Sequence, residues 1–206
     1  MNRAGNNSAK KALSARSRIS AGACVLLCIA SLLSGVPLRA SAQSSADEYQ
    51  VKAAFLFHFA QFLDWPAGSM NAGDASLSLC IFDDEPRRQE LESTIEGKPI
   101  GARVFHVRLV SQPQEIQNCN LLFLSRDEAR RQSAILKSLR GQPVLTVGET
   151  ANFLTEGGMI RFHLEDGKIR FDINLGAADS AHLKISSRLL ILATSVTRGA
   201  GTDRER

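Results

Sequence analysis

Aromatic residues other than phenylalanine are nearly absent from this chain, which has one Trp and one Tyr beside ten Phe. Basic stretches interleaved with stacking aromatics, the usual mark of a nucleic-acid surface, therefore do not occur. Gly and Pro are few as well, 15 and 6 among 206 residues, and they follow no period, which excludes a collagen-like chain. With 44% hydrophobic residues the chain is too apolar to be disordered throughout. One apolar stretch near the N-terminus is the only candidate for membrane contact, so a multi-span membrane protein is excluded.

Acidic residues are missing from the first 42 positions, which hold Arg3, Lys10, Lys11, Arg16, Arg18 and Arg39. The formal charge of +4 originates there, because the rest of the chain has 19 basic residues against 21 acidic ones. That body offers no positive footprint for a phosphate backbone, and no nucleic-acid partner is expected. Residues 1–42 read as a secretory signal peptide: a basic segment to Arg18, an apolar run from Ile19 to Val36 diluted by Ser and Gly, then Ala40-Ser41-Ala42 before Gln43. A single transmembrane anchor is the alternative, and the short, diluted run with a small-residue cleavage site disfavours it. Cys24 and Cys28 lack the Leu-small-small-Cys context of lipid attachment and would leave with the signal.

Cys80 and Cys119 remain. An even count in an oxidising compartment favours one bridge, with two buried free thiols as the alternative. No C-x-x-C pair occurs, so thioredoxin-like chemistry is not expected. His58, His106, His163 and His182 are scattered, without metal-ligand spacing from each other or from a Cys, and no metal or cofactor is expected. There is no G-x-S-x-G, no phosphate-binding loop and no dinucleotide fingerprint. Asp83-Asp84-Glu85 ends a strand-like run, where open α/β sheets bind ligands. Without a basic or His partner it reads better as the acidic start of the next helix. Trp65 reads as a cap on the core or, if exposed, as a contact anchor.

The periodicities describe an α/β fold: a single-domain sandwich, roughly 46–196, with a mixed, mainly parallel sheet flanked by helices and a C-terminal β-hairpin. Ser44-Ser45-Ala46-Asp47-Glu48 supplies helix-start residues, and Val51, Phe55, Phe59 and Phe62 repeat at helical spacing up to Asp64-Trp65-Pro66. Strands are expected over 77–82, 104–109, 121–124 and 144–147, with helices over 87–95 and 126–139 between them. Runs 159–164 and 169–174 flank Asp166-Gly167, a hairpin signal. Residues 177–193 look helical in one or two pieces around Ser186-Ser187, and 197–206 is a polar tail.

Several blocks in this order resemble the YfiR family: Tyr49-Gln50-Val51-Lys52-Ala53-Ala54-Phe55-Leu56 with Phe59, Phe62 and Trp65-Pro66; Leu79-Cys80-Ile81; Cys119-Asn120-Leu121-Leu122-Phe123; and Val144-Leu145-Thr146-Val147-Gly148. The resemblance continues from Gly157-Gly158-Met159-Ile160 through Ile169-Arg170-Phe171-Asp172-Ile173-Asn174-Leu175 to Ile185-Ser186-Ser187-Arg188-Leu189-Leu190. It implies a non-enzymatic periplasmic protein of a Gram-negative cell. Such a protein represses a YfiN-like inner-membrane diguanylate cyclase by binding its periplasmic sensor region, so controlling cyclic di-GMP and biofilm formation. A YfiB-like outer-membrane lipoprotein would be a second partner, and a homodimer is left open. The resemblance matches Cys80 and Cys119 to one family pair, whereas the second pair near the hairpin is absent. It also places the repressive contact at Asp172, Ala178, Lys184 and Ile185, with Trp65 on the side of the other partner. Phe82-Asp83-Asp84-Glu85-Pro86-Arg87 departs from the Gly and Asp-Pro-Phe more usual in relatives. A small-molecule-binding module using a pocket at the strand ends is the alternative, and an enzyme a distant third.

Overall fold

A computed structural model of the chain describes residues 40–66, 75–82 and 84–198, with side chains from Asp47 onward except Gln117. The chain divides into two units, Met1–Ser41 and Ala42–Arg206. The expected signal peptide, apart from the backbone of 40–42, and the tail from 199 lie outside the described residues.

Helix α1 spans Ala40–Gln61. It starts before the expected cap residues because nothing between Ala40 and Asp47 breaks a helix. Its buried stripe is Tyr49, Lys52, Ala53, Leu56, Phe59, Ala60 and, just beyond its end, Leu63, whereas Val51 is 46% exposed. The apolar face is thus rotated from the Val51-Phe55-Phe59-Phe62 line read from the sequence. Large phenylalanines dominated that reading, while the small Ala53 and Ala60 permit the closest packing on the sheet. The helix also stops short of Trp65-Pro66: Leu63–Asp64 forms a two-residue strand, β1.

Strand β2 (Ser76–Phe82) leads to α2 (Glu85–Ile95), then β3 (Pro99–Ile100) and β4 (Arg103–Val110). A 3-10 helix over Pro113–Asn118 returns the chain to β5 (Leu121–Leu124). Helix α3 (Ala129–Ser138) connects to β6 (Leu145–Gly148), and β7 (Ile160–Glu165) and β8 (Lys168–Asn174) form the hairpin. Asp166 and Gly167 both take positive φ, 51° and 71°, the geometry a two-residue hairpin turn requires. Helix α4 (Leu175–Ser180), β9 (Lys184–Ile185), α5 (Ser187–Leu192) and β10 (Ser195–Thr197) complete the described chain. The region read as helical in pieces therefore contains a strand, and Thr197, expected in the tail, pairs with Asn174.

The main sheet has the order β10-β8-β7-β6-β5-β2-β4-β3. Strands β4, β2, β5, β6 and β7 are mutually parallel, the β7–β8 hairpin is antiparallel, and β10 runs parallel to β8. One face carries Leu79, Ile81, Phe105, Phe123, Val147, Phe162 and Phe171 against α1 and α2. The other carries Cys80, Phe82, Leu122 and Leu124 against Ile135 and Leu136 of α3. Burial on both faces explains the unbroken apolar run Leu121–Leu124.

Phe153 is fully buried on the α3 face, with its ring between the backbones of Gly148 and Gly158. A Cβ at either glycine would sit 2.2 Å from ring carbons. Gly148→Ala or Gly158→Ala is therefore expected to destabilise the protein by about 3 kcal/mol, the upper range for overpacking. Denaturant unfolding checks this, and adding Phe153→Leu to Gly148→Ala should recover part of the loss. Additive losses would contradict the packing.

Acid sensitivity follows from local capping. Two arrangements hold Glu115 below its usual range: Ser111 and then Gln112 donate backbone N–H groups to its carboxylate, at 2.8 and 3.0 Å. Hydrogen bonds from Arg88 and then Gln89 hold the exposed Glu85 carboxyl at about 2. A depressed carboxyl contributes stability that is complete above 4.5 and is lost as pH falls through its folded value. Melting temperature should therefore be insensitive to these groups above pH ~5 and should decline between there and pH ~2. A melting temperature that rises on acidification through that window would contradict this.

Candidate functional site

Strand order reverses between β2 and β5. From β2 the chain passes through α2 to β4 on one side, and from β5 through α3 to β6 on the other. The crevice outside the carboxyl ends at such a point is where open α/β sheets bind ligands. Here residues of α1, of α2 and of the segments after β5 and β6 converge. Glu149, which follows β6 and is 7% exposed, accepts hydrogen bonds from Lys52 Nζ, from the Tyr49 hydroxyl at 3.1 Å and from the Arg126 N–H at 3.2 Å. Lys52, only 1% exposed, also bonds Glu48. The Lys52 ammonium, at 4.1 Å, and the Arg87 guanidinium, at 4.2 Å, both lie over the Tyr49 ring. Burial, followed by the Glu149 carboxylate, holds the Tyr49 phenol well above its usual range.

The acidic cluster at the end of β2 serves the next helix. Asp84 Oδ1 accepts the Arg87 N–H at 3.2 Å, capping α2, and Glu85 bonds the Arg88 guanidinium. Pro86 sits in the first turn, where its missing N–H has no consequence. Asp83 lies outside the described residues. No group of His, Cys, Asp and Glu suited to a metal ion occurs among the described residues.

Cys80 and Cys119 are joined in a disulfide, Cα atoms 5.9 Å apart. The bond ties the middle of β2 to the residue where the 3-10 helix turns into β5, inside the α3-side core.

The five residues assigned to partner contact lie at different depths. Asp172 is 4% exposed: Arg161 Nη2 donates to it at 2.6 Å and the Ser195 hydroxyl at 2.7 Å, with His163 Nδ1 3.3 Å away. It locks β10 and β7 onto β8 from within. Ala178 is fully buried. Lys184 is exposed and Ile185 half-buried. Trp65, also half-buried, packs against the core with its indole N–H buried and without an acceptor among the described residues. Strands β1 and β9 pair antiparallel, Leu63 with Ile185 and Asp64 with Lys184, and Ser186 donates its N–H to the Phe62 carbonyl at 2.9 Å. Trp65, assigned to a different partner from Ile185, therefore stands at the end of the same short seam.

Exposed apolar residues beyond this seam were not singled out by the sequence. Ile191 is 82% exposed, Leu192 61% and Val196 41%. They flank the turn from α5 into β10, the outermost strand of the main sheet. Between Ser180 and Arg198 the chain has Lys184, Arg188 and Arg198 and no Asp or Glu. The available signal was the run Leu189-Leu190-Ile191-Leu192, too apolar for a six-residue helix buried on one side only.

The fold is thus a three-layer α/β domain with a buried ion-pair cluster near the strand ends, an internal disulfide and an exposed apolar, basic C-terminal segment. Residues 49–194 match the YfiR/HmsC-like family, and the chain belongs to it. That family is regulatory, non-catalytic and periplasmic. No helix among the described residues is long and apolar enough to cross a membrane. No curated protein matches the chain. Among solved structures, a domain from Streptococcus pneumonia in complex with L-Trp aligns at 10% identity over 58% of this chain and 55% of that one, with a TM-score of 0.42. A conserved domain protein from Vibrio cholerae aligns at 9% identity over 72% of this chain and 60% of that one, with a TM-score of 0.44. The alignments thus span less than two thirds of either neighbour.

Proposed function

We propose that this protein is an exported periplasmic repressor that binds the periplasmic sensor region of a YfiN-like inner-membrane diguanylate cyclase and so holds down cyclic di-GMP synthesis and biofilm formation. A YfiB-like outer-membrane lipoprotein relieves the repression by competing for the same molecule, with the populations set by the two affinities. The observation that carries this reading is the exposed apolar segment Ile191, Leu192 and Val196 in a wholly basic stretch at the sheet's outer edge. Exposed apolar clusters of this kind are a common feature of protein contact surfaces, which supports the reading. Family membership over residues 49–194 supports the regulatory class.

In this reading Lys184 and Ile185 extend the contact along the seam that ends at Trp65. Asp172 and Ala178 act from beneath, by fixing the positions of β10 and α4. Two copies meeting through this face would bring like charges together, which favours an acidic partner surface over a second copy. Co-expression with the cyclase tests the proposal: the wild-type chain should lower cellular cyclic di-GMP. The double substitution Ile191→Glu with Leu192→Glu, on exposed positions, should abolish that effect without changing the melting temperature. Repression unaffected by the double variant would move the contact elsewhere.

A further inference from the structure

A cavity of about 450 Å³ lies between the C-terminal end of α3, β6 and α4, and no residue of the Lys52–Glu149 cluster lines it. Its volume lies within the range of small-molecule sites. Leu136, Leu139 and Met159, all at least 95% buried, give it apolar inner walls. Thr146, 2% exposed, lies among them. Its hydroxyl oxygen accepts the Met159 N–H at 3.1 Å, and its own proton has no acceptor among the described residues. A buried hydroxyl with an unspent donor is a polar group awaiting a partner.

The lining also carries Arg140 and Arg198, which come from distant points in the sequence. Among the described residues neither has an ion-pair partner and no Asp or Glu lines the cavity. Arg140 also faces the carbonyl end of α3, where a cation is favoured for its own sake. Arg198, directly after β10, has no such role.

We propose that this cavity is a binding site for a small organic anion, an apolar body carrying a carboxylate. The body fills the space beside Leu136, Leu139 and Met159, an acceptor on it takes the Thr146 proton, and the carboxylate lies between the two guanidiniums. A planar guanidinium is suited to holding a carboxylate through paired hydrogen bonds. This site is independent of the protein-contact function proposed above and stands or falls without it.

The test uses the purified protein labelled at its methionine methyl groups, with the signal of Met159, which lines the cavity, assigned by its substitution with Leu. 2-Naphthoate is titrated as the charged probe and 2-naphthylmethanol as its uncharged counterpart. The expected result is a saturable shift of the Met159 methyl signal with naphthoate and a response to the alcohol weaker by about tenfold or more, the equivalent of one charge-assisted contact. Arg198→Gln should weaken naphthoate binding by about tenfold while leaving the alcohol unchanged. Ala177→Leu, which fills the lining, should remove both responses, with melting temperature confirming that the variant folds. No Met159 shift with either probe at millimolar concentration would overturn the site. Equal binding of the two probes, or naphthoate binding indifferent to Arg198→Gln, would overturn the assignment of an anion.

Discussion

Replacing Lys52 with Met is expected to cost about 3 to 5 kcal/mol of folding stability, because it leaves the Glu149 carboxylate buried without its countercharge. Lys52 is 1% exposed and its ammonium bonds Glu149 and Glu48. Glu48 retains access to water, whereas the Glu149 side chain is 2% exposed and would keep only the Tyr49 hydroxyl and the Arg126 N–H. The cost comes from the orphaned charge rather than from any large net value of the pair, since buried ion pairs barely exceed their desolvation penalty. A double-mutant cycle separates the two. Lys52→Met with Glu149→Gln should recover most of the loss, and equilibrium unfolding in urea measures it. Equal destabilisation in the single and double variants would show that Lys52 matters through packing of its stem alone.

The disulfide carries the second large effect. Cys80 and Cys119 are separated by 39 residues, and closing that loop restricts the unfolded chain by about 4 kcal/mol in the loop-entropy estimate. Both sulfurs are buried, so the native core also loses contacts when the bond is cut. Cys80→Ser is expected to lower stability by about 2 to 5 kcal/mol. Reduction of the wild-type protein should reproduce most of that loss and leave Cys80→Ser unaffected. An unchanged melting temperature for Cys80→Ser under oxidising conditions would contradict a stabilising bridge.

Much of the fold was legible because its sheet is regular. A run buried on both faces, as in Leu121–Leu124, and a hairpin turn that demands positive φ, as at Asp166-Gly167, leave strong local marks. What escaped depends on partners distant in sequence. Lys52 lies in a helical stripe between Tyr49 and Leu56, a visible anomaly, yet nothing local points to Glu149. Strands β1, β9 and β10 have two or three residues each, too short to show a period, and exist because β1 and β9 pair with each other and β10 with β8. The same limit applied to the contact residues. Asp172 looks like a surface residue in an alternating strand, but Arg161, Ser195 and His163 converge on it from two other strands and make it internal. The exposure of Ile191 and Leu192 could be read only once α5 had been placed.

The most direct test of the regulatory reading is calorimetric titration of the purified protein with the periplasmic region of a diguanylate cyclase encoded in the same genome. Binding at micromolar or tighter affinity, lost in the variant that combines Ile191→Glu with Leu192→Glu, is the predicted result. No heat of binding under either oxidising or reducing conditions would contradict a repressor that acts by contact.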